Sequence, residues 1–128
     1  MTEISVPVFA NDHGDLSVFD SLASMAADVE AIDVENGVYE FFDAAGHRLA
    51  ADTRTGKVEF QIDPEKPADP HRLIEILRHY LQALPERFAD IITRARETSS
   101  LEHLVSLCQE VERVPRPGML QWLRPRRR

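Results

Sequence analysis

One cysteine, Cys108, is present in the 128 residues. No disulfide can form within the chain, so its core must hold by packing. No apolar run approaches the roughly 20 residues of a membrane-spanning helix. The N-terminus, MTEISVPVFANDHGD, has neither a basic nor an apolar leader region, and a cytoplasmic setting is expected. Five glycines are scattered singly, which leaves no phosphate-cradling loop. Serine, histidine and aspartate occur outside any nucleophile-elbow pattern, so no enzymatic activity is expected. Basic residues are scarce in the first half. Positions 1–65 hold 14 acidic residues against Arg48, Arg54 and Lys57. Such a surface repels nucleic acid and anionic membranes and speeds encounter with basic proteins.

What the chain does contain is enough for one folded unit. It is 43% hydrophobic and 29% charged, a balance that argues against global disorder. The net charge of −7 is unevenly spread. Residues 113–128 hold six arginines and no acid, which leaves nine basic against 22 acidic residues in positions 1–112. The expected organisation is a single domain over 1–114 followed by a basic, largely irregular segment, 115–128. Met119, Leu120, Trp122 and Leu123 are the residues able to dock part of that segment.

Hydropathy patterning predicts an α+β fold. A first strand is expected over Ile4–Phe9, a loop over Asn11–Asp15, and a short strand over Leu16–Phe19. A helix capped by Asp20 or Ser21 should run to about Ala31, with Leu22, Met25, Ala26 and Val29 on one stripe. A small antiparallel β-meander follows: Ile32–Glu35, Val38–Asp43, His47–Asp52 and Lys57–Ile62, with glycine-ended turns at Asp43–Gly46 and Thr53–Gly56. In the last strand Val58, Phe60 and Ile62 alternate with Lys57, Glu59 and Gln61, the pattern of a sheet with one wet face. After a proline-rich connector, Asp69-Pro70 is a helix start. Leu73, Ile74, Leu77, Leu81 and Leu84 give that helix an apolar stripe. Further helices are expected over Glu86–Arg96 and from a Ser99–Glu102 capping box through Val111. Cys108 falls on the apolar stripe of the last one, as a buried hydrophobe. These three helices should cover the apolar face of the sheet.

The acidic residues concentrate around Asp33-Val34-Glu35-Asn36-Gly37-Val38-Tyr39-Glu40. Asn-Gly between β-prone residues is a strong hairpin signal, because both turn residues need φ > 0. With Asn36 and Gly37 as the turn, Asp33, Glu35 and Glu40 share one face. Like charges set opposite each other weaken a hairpin, so the pattern suggests a face kept for a cationic partner. Asp12, Asp15 and Asp43 lie in neighbouring loops and would extend it. Other constellations carry less. His71, Glu75 and His79 share one helix face with metal-ligand spacing, without a zincin signature. Asn11–Asp15 has oxygen ligands beside a glycine but lacks the distal glutamate of a calcium loop. Neither a metal nor a cofactor is expected.

The segment SVFDSLASMAADVEAIDVENGVYEFFDAAGHRL resembles small bacterial proteins in which an SVF strand is followed by a helix, then DVENG and a D-x-x-G-R-L-like hairpin. Here these are Ser17–Phe19, Asp33–Gly37 and Asp43–Leu49, with His47 intervening before Arg48. Such proteins look like immunity proteins of bacterial polymorphic toxin systems. The resemblance implies a protein that binds and neutralises a cognate toxin by occluding a basic active-site cleft. The alternative is an interaction module of another kind: an adaptor, regulator or chaperone. On either reading the expected partner is a basic protein, not nucleic acid or membrane. The contact residues expected are Asp33, Glu35, Glu40, Asp43, Asp12 and Asp15.

Overall fold

The computed structural model describes residues 3–114. The basic segment expected over 115–128, with its four docking residues, lies outside the described residues. The fold is α+β, with strands in the N-terminal half and helices in the C-terminal half.

Val8–Asp12 (β1) and Asp15–Phe19 (β2) form an antiparallel hairpin. Its turn is His13-Gly14, with φ of 51° and 99°. Two consecutive left-handed residues are the type I′ geometry whose twist suits paired strands. The first strand thus lies later than its hydropathy suggested and takes in Asn11 and Asp12 of the expected loop. Ser21 caps Leu22–Asp28 (α1) by accepting from the Ser24 backbone N–H at 3.1 Å.

The expected hairpin at Asn36-Gly37 does not form. Ala31–Glu35 is instead a short helix (α2), and Asn36-Gly37 ends it. Asn36 has φ −84°, which excludes a type I′ turn, while Gly37 has φ +70°. The Val38 N–H donates to Asp33 O and the Gly37 N–H to Val34 O, both at 3.1 Å. This pair of bonds is the Schellman closure of a helix C-terminus, where glycine takes the left-handed position at least cost.

Glu40–Phe42 (β3) pairs with β1, giving a three-stranded sheet of order β2-β1-β3. Leu49–Asp52 (β4) and Glu59–Ile62 (β5) form a separate two-stranded sheet. A bridge between Phe42 and Arg48 links the two. The meander thus survives in outline over β3, β4 and β5, but its first arm is helical and its ladder is split.

Asp69 caps Pro70–Gln82 (α3), as the Asp-Pro start implied, accepting from the Arg72 N–H at 3.1 Å. A 3-10 turn over Glu86–Phe88 leads into Ala89–Arg96 (α4). Leu101–Arg113 (α5) is capped by Ser100, which accepts from the His103 N–H at 3.2 Å. The cap is one residue later than the Ser99–Glu102 box suggested.

Strand alternation splits the interior in two. Phe9, Leu16 and Phe42 point toward α3, α4 and α5, where they meet Leu73, Leu77, Leu81, Leu104, Leu107 and Cys108. Val8, Ala10 and Phe41 point the other way, onto Met25, Val29 and Leu49, with Phe60 and Ile62 of β5 packed alongside. The Phe41 and Phe60 rings meet edge to face at 4.8 Å. The three-stranded sheet is therefore covered on both faces. Burial pushes the Cys108 thiol up to about 12, with the nearby Glu112 charge adding to the effect, so it packs as a neutral group.

Leu77 is fully buried, whereas Ile32 is 63% exposed. Leu77→Ala should cost about 2–5 kcal/mol in urea unfolding, and Ile32→Ala should stay within about 0.5 kcal/mol of the parent. A large loss from Ile32→Ala would show that α2 packs differently.

Candidate protein-binding surface

The six expected contact residues do not form one patch. Asp43 is fully buried. Its Oδ1 accepts from the Ala45 N–H at 3.0 Å and the His47 N–H at 2.9 Å. Its Oδ2 accepts from the Ser5 N–H at 3.0 Å and lies 2.9 Å from His47 Nδ1. This carboxylate is committed to the turn it sits in and is not available to a partner. The reason lies in the backbone. A tight turn leaves amides without ladder partners, and an aspartate at its start is placed to receive them.

That turn also fixes the sheet against α3. Gly46 has φ +90°, and a Cβ there would lie 2.8 Å from Pro70 Cα. The Gly46 carbonyl accepts from the Asp69 N–H at 2.8 Å. Only glycine allows both the left-handed backbone and this close approach.

Glu40 is also engaged within the chain. Arg72 donates to it through Nη2 at 2.8 Å and Nε at 3.1 Å, and Asn11 Nδ2 donates at 3.0 Å. Arg48 Nη1 stands 3.6 Å from Glu40, while Arg48 Nη2 donates to Asp69 at 3.2 Å. The Arg48 guanidinium lies 4.9 Å from the centroid of the Phe42 ring. These contacts join β1, β3, the start of β4 and the first turn of α3. Hydrogen bonding from Arg72 holds the Glu40 carboxyl below its ordinary range despite partial burial. The Arg72 N–H, with Arg48, does the same for Asp69.

The remaining four acids lie at two places. Asp12 and Asp15 flank the β1–β2 turn, where Asp12 Oδ1 sits 2.9 Å from His13 Nδ1. Asp33 and Glu35 are on α2, and Glu35 accepts from Thr53 Oγ1 at 3.0 Å. Helical spacing puts Ile32, Glu35 and Asn36 on the outer side of α2, all exposed, while Val34 packs inward. Ile32 was expected to lie in a strand. A helix reading of Ala31–Glu35 would have placed it outside, because Asn-Gly is helix-ending chemistry as well as hairpin chemistry.

Positions 1–47 contain ten acidic residues and no lysine or arginine. Asp15, Asp20, Asp28, Glu30 and Glu35 are exposed. The surface that carries Ile32 is therefore an exposed aliphatic side chain within an acidic segment. His71, Glu75 and His79 remain on the outer side of α3, and Glu75 pairs with Arg72 at 3.5 Å. Among the described residues no three potential ligands stand together for a metal ion, and no helix is long and apolar enough to cross a membrane. No family model, curated protein or solved structure matches the chain.

Asp43→Ala would remove the buried carboxylate that the Ser5, Ala45 and His47 N–H groups share, and a loss of about 3–5 kcal/mol in urea unfolding is expected. A loss below about 1 kcal/mol would contradict the bracing role. The acid limb tests the second brace. Glu40 and Asp69 have folded values below their unfolded ones, so their contribution is complete above the ordinary carboxylate range and is lost as the pH falls through the lower folded values. The urea midpoint should hold down to about pH 5 and then drop. Glu40→Gln should be less stable at pH 6 and show a shallower drop. An unchanged acid slope in that variant would remove Glu40 from the account.

Proposed function

We propose that this chain is an immunity-type binding protein that neutralises a cationic toxin by covering its active-site cleft. The observation that carries the reading is the long N-terminal stretch without a lysine or arginine, folded so that Ile32 stands exposed between Glu30 and Glu35. A central apolar residue within a charged rim is the composition of a binding hot spot. The apolar residue supplies affinity once desolvated, and the rim supplies association rate and selects the sign of the partner. The contact set differs from the one the hairpin implied. It centres on α2 and omits Glu40 and Asp43, whose carboxylates are held within the fold.

The partner fitting this surface has lysines or arginines around an apolar pocket. Toxins that act on nucleic acids or nucleotides present such clefts, because their substrates are anionic. The resemblance of residues 17–49 to immunity proteins supports the same partner class.

The test is affinity capture from the source cells with the full chain, at low and high salt, in parallel with Ile32→Lys and the Glu30→Lys, Glu35→Lys pair. The unmodified chain should retain a basic protein that is toxic when expressed alone and harmless when co-expressed. Ile32→Lys should weaken the complex about 30-fold or more, and the double reversal should slow association most at low salt. Capture unaffected by all three changes would overturn the surface. A captured protein that is harmless on its own would overturn the immunity role in favour of an adaptor.

A further inference from the structure

Among the described residues β5 is paired on one side only. It meets β4 through Leu49 with Ile62, Ala50 with Gln61, Ala51 with Phe60 and Asp52 with Glu59, and no strand lies along its other edge. One hydrogen bond decides which backbone groups that edge presents. The register sets Asp63 opposite Arg48, and the Asp63 N–H donates to the Arg48 carbonyl at 2.9 Å. In an antiparallel pair the backbone groups of alternate residues point toward and away from the partner. Glu59, Gln61 and Asp63 therefore turn theirs to β4, while Phe60 and Ile62 turn theirs to the open edge. Val58 continues the alternation, with its side chain in the same apolar cluster as those of Phe60 and Ile62. A row of open N–H and C=O groups is a template for another strand.

The side chains select the strand that fits. We propose that this edge pairs with the same edge of a second copy of the chain, about a two-fold axis at Phe60. In that antiparallel register Phe60 of one copy faces Phe60 of the other, Val58 faces Ile62, Glu59 faces Gln61 and Lys57 faces Asp63. The residues whose backbone groups point outward meet one another, as a ladder requires, and the apolar row of one copy runs on into that of the other. On the opposite face Lys57, Glu59 and Gln61 are exposed, and each acid there meets a cation or an amide. Lys57 is one of two lysines in a chain of net charge −7, and the symmetry forms its pair with Asp63 twice. Neighbouring registers are worse. An axis at Glu59 or Gln61 sets Glu59 against Glu59 or against Asp63, and like charges placed opposite weaken pairing. An axis at Ile62 sets Pro64, which has no N–H, opposite Phe60. An axis at Val58 runs the Thr53–Gly56 turn into the ladder. So short a contact makes a weak, reversible dimer. The inference does not depend on the partner assigned to α2.

Sedimentation equilibrium of the full chain should read a monomer at about 10 µM and a mass rising toward the dimer at about 1 mM. Over the same range the amides of Phe60 and Ile62 should exchange more slowly with solvent deuterium, and those of the His13-Gly14 turn should not change. Lys57→Asp and Asp63→Lys should each weaken the dimer about tenfold, with unchanged circular dichroism, and combining them should restore it. A monomer mass throughout the range would overturn the proposal. So would a dimer in which Phe60 and Ile62 exchange as they do at low concentration, or one that both single variants leave unchanged.

Discussion

A carboxylate without contact with water is costly unless its oxygens are filled with hydrogen bonds. Asp43 meets that condition with the amides of Ser5, Ala45 and His47 and with the His47 ring. The consequences extend past the turn. Ser5 ties down the segment that leads into β1, and His47 and Arg48 begin the return toward β4. Gly46 is thereby set against Pro70, where the helical half begins. The two halves meet through this turn and through the Glu40–Arg72–Arg48–Asp69 network beside it. Without the turn, the sheet and α3 would still have apolar faces to bury but no fixed register between them.

The acidic surplus therefore has two roles, separated by burial. Asp43, Glu40 and Asp69 are structural: each faces amides or guanidinium groups of its own chain. Asp28, Glu30 and Glu35 are exposed, in the same stretch of chain as Ile32. Net charge alone does not distinguish the two sets. The same excess of carboxylates reads as one interaction patch in the sequence and as a brace plus a surface in the structure.

Much of the fold was legible because its signals were redundant. For α3, a capping aspartate, a proline at the first helical position and an apolar stripe all agree, and Leu101, Leu104, Val105, Cys108 and Val111 do the same for α5, whose cap falls at Ser100 and not at Ser99. Thr53–Gly56 is a turn as its residues suggest. The region around Asn36 was misread because five residues are too few for periodicity to separate helix from strand. Asn-Gly, moreover, serves both a type I′ turn and a helix end. The sequence placed the hairpin turn at Asn36-Gly37, but it occurs at His13-Gly14, a dipeptide that reads more weakly. For the site, the acidic character of residues 33–35 was legible in the sequence, but not the helix that carries them. Nor could the sequence indicate that Glu40 and Asp43 are consumed internally, since their partners stand up to 38 residues away in the chain. Ile32 as an outward residue was missed for the same reason as α2 itself.

The most direct measurement of the central claim is native-state hydrogen exchange at the amides of Ser5, Ala45 and His47. If the Asp43 turn holds the two halves together, these three amides should open only with global unfolding, at the free energy of core amides such as those of Phe42 and Leu77. Exchange at the rate of an exposed turn such as Thr53–Gly56 would show that the turn opens on its own. The halves of the molecule would then be joined by apolar contact alone.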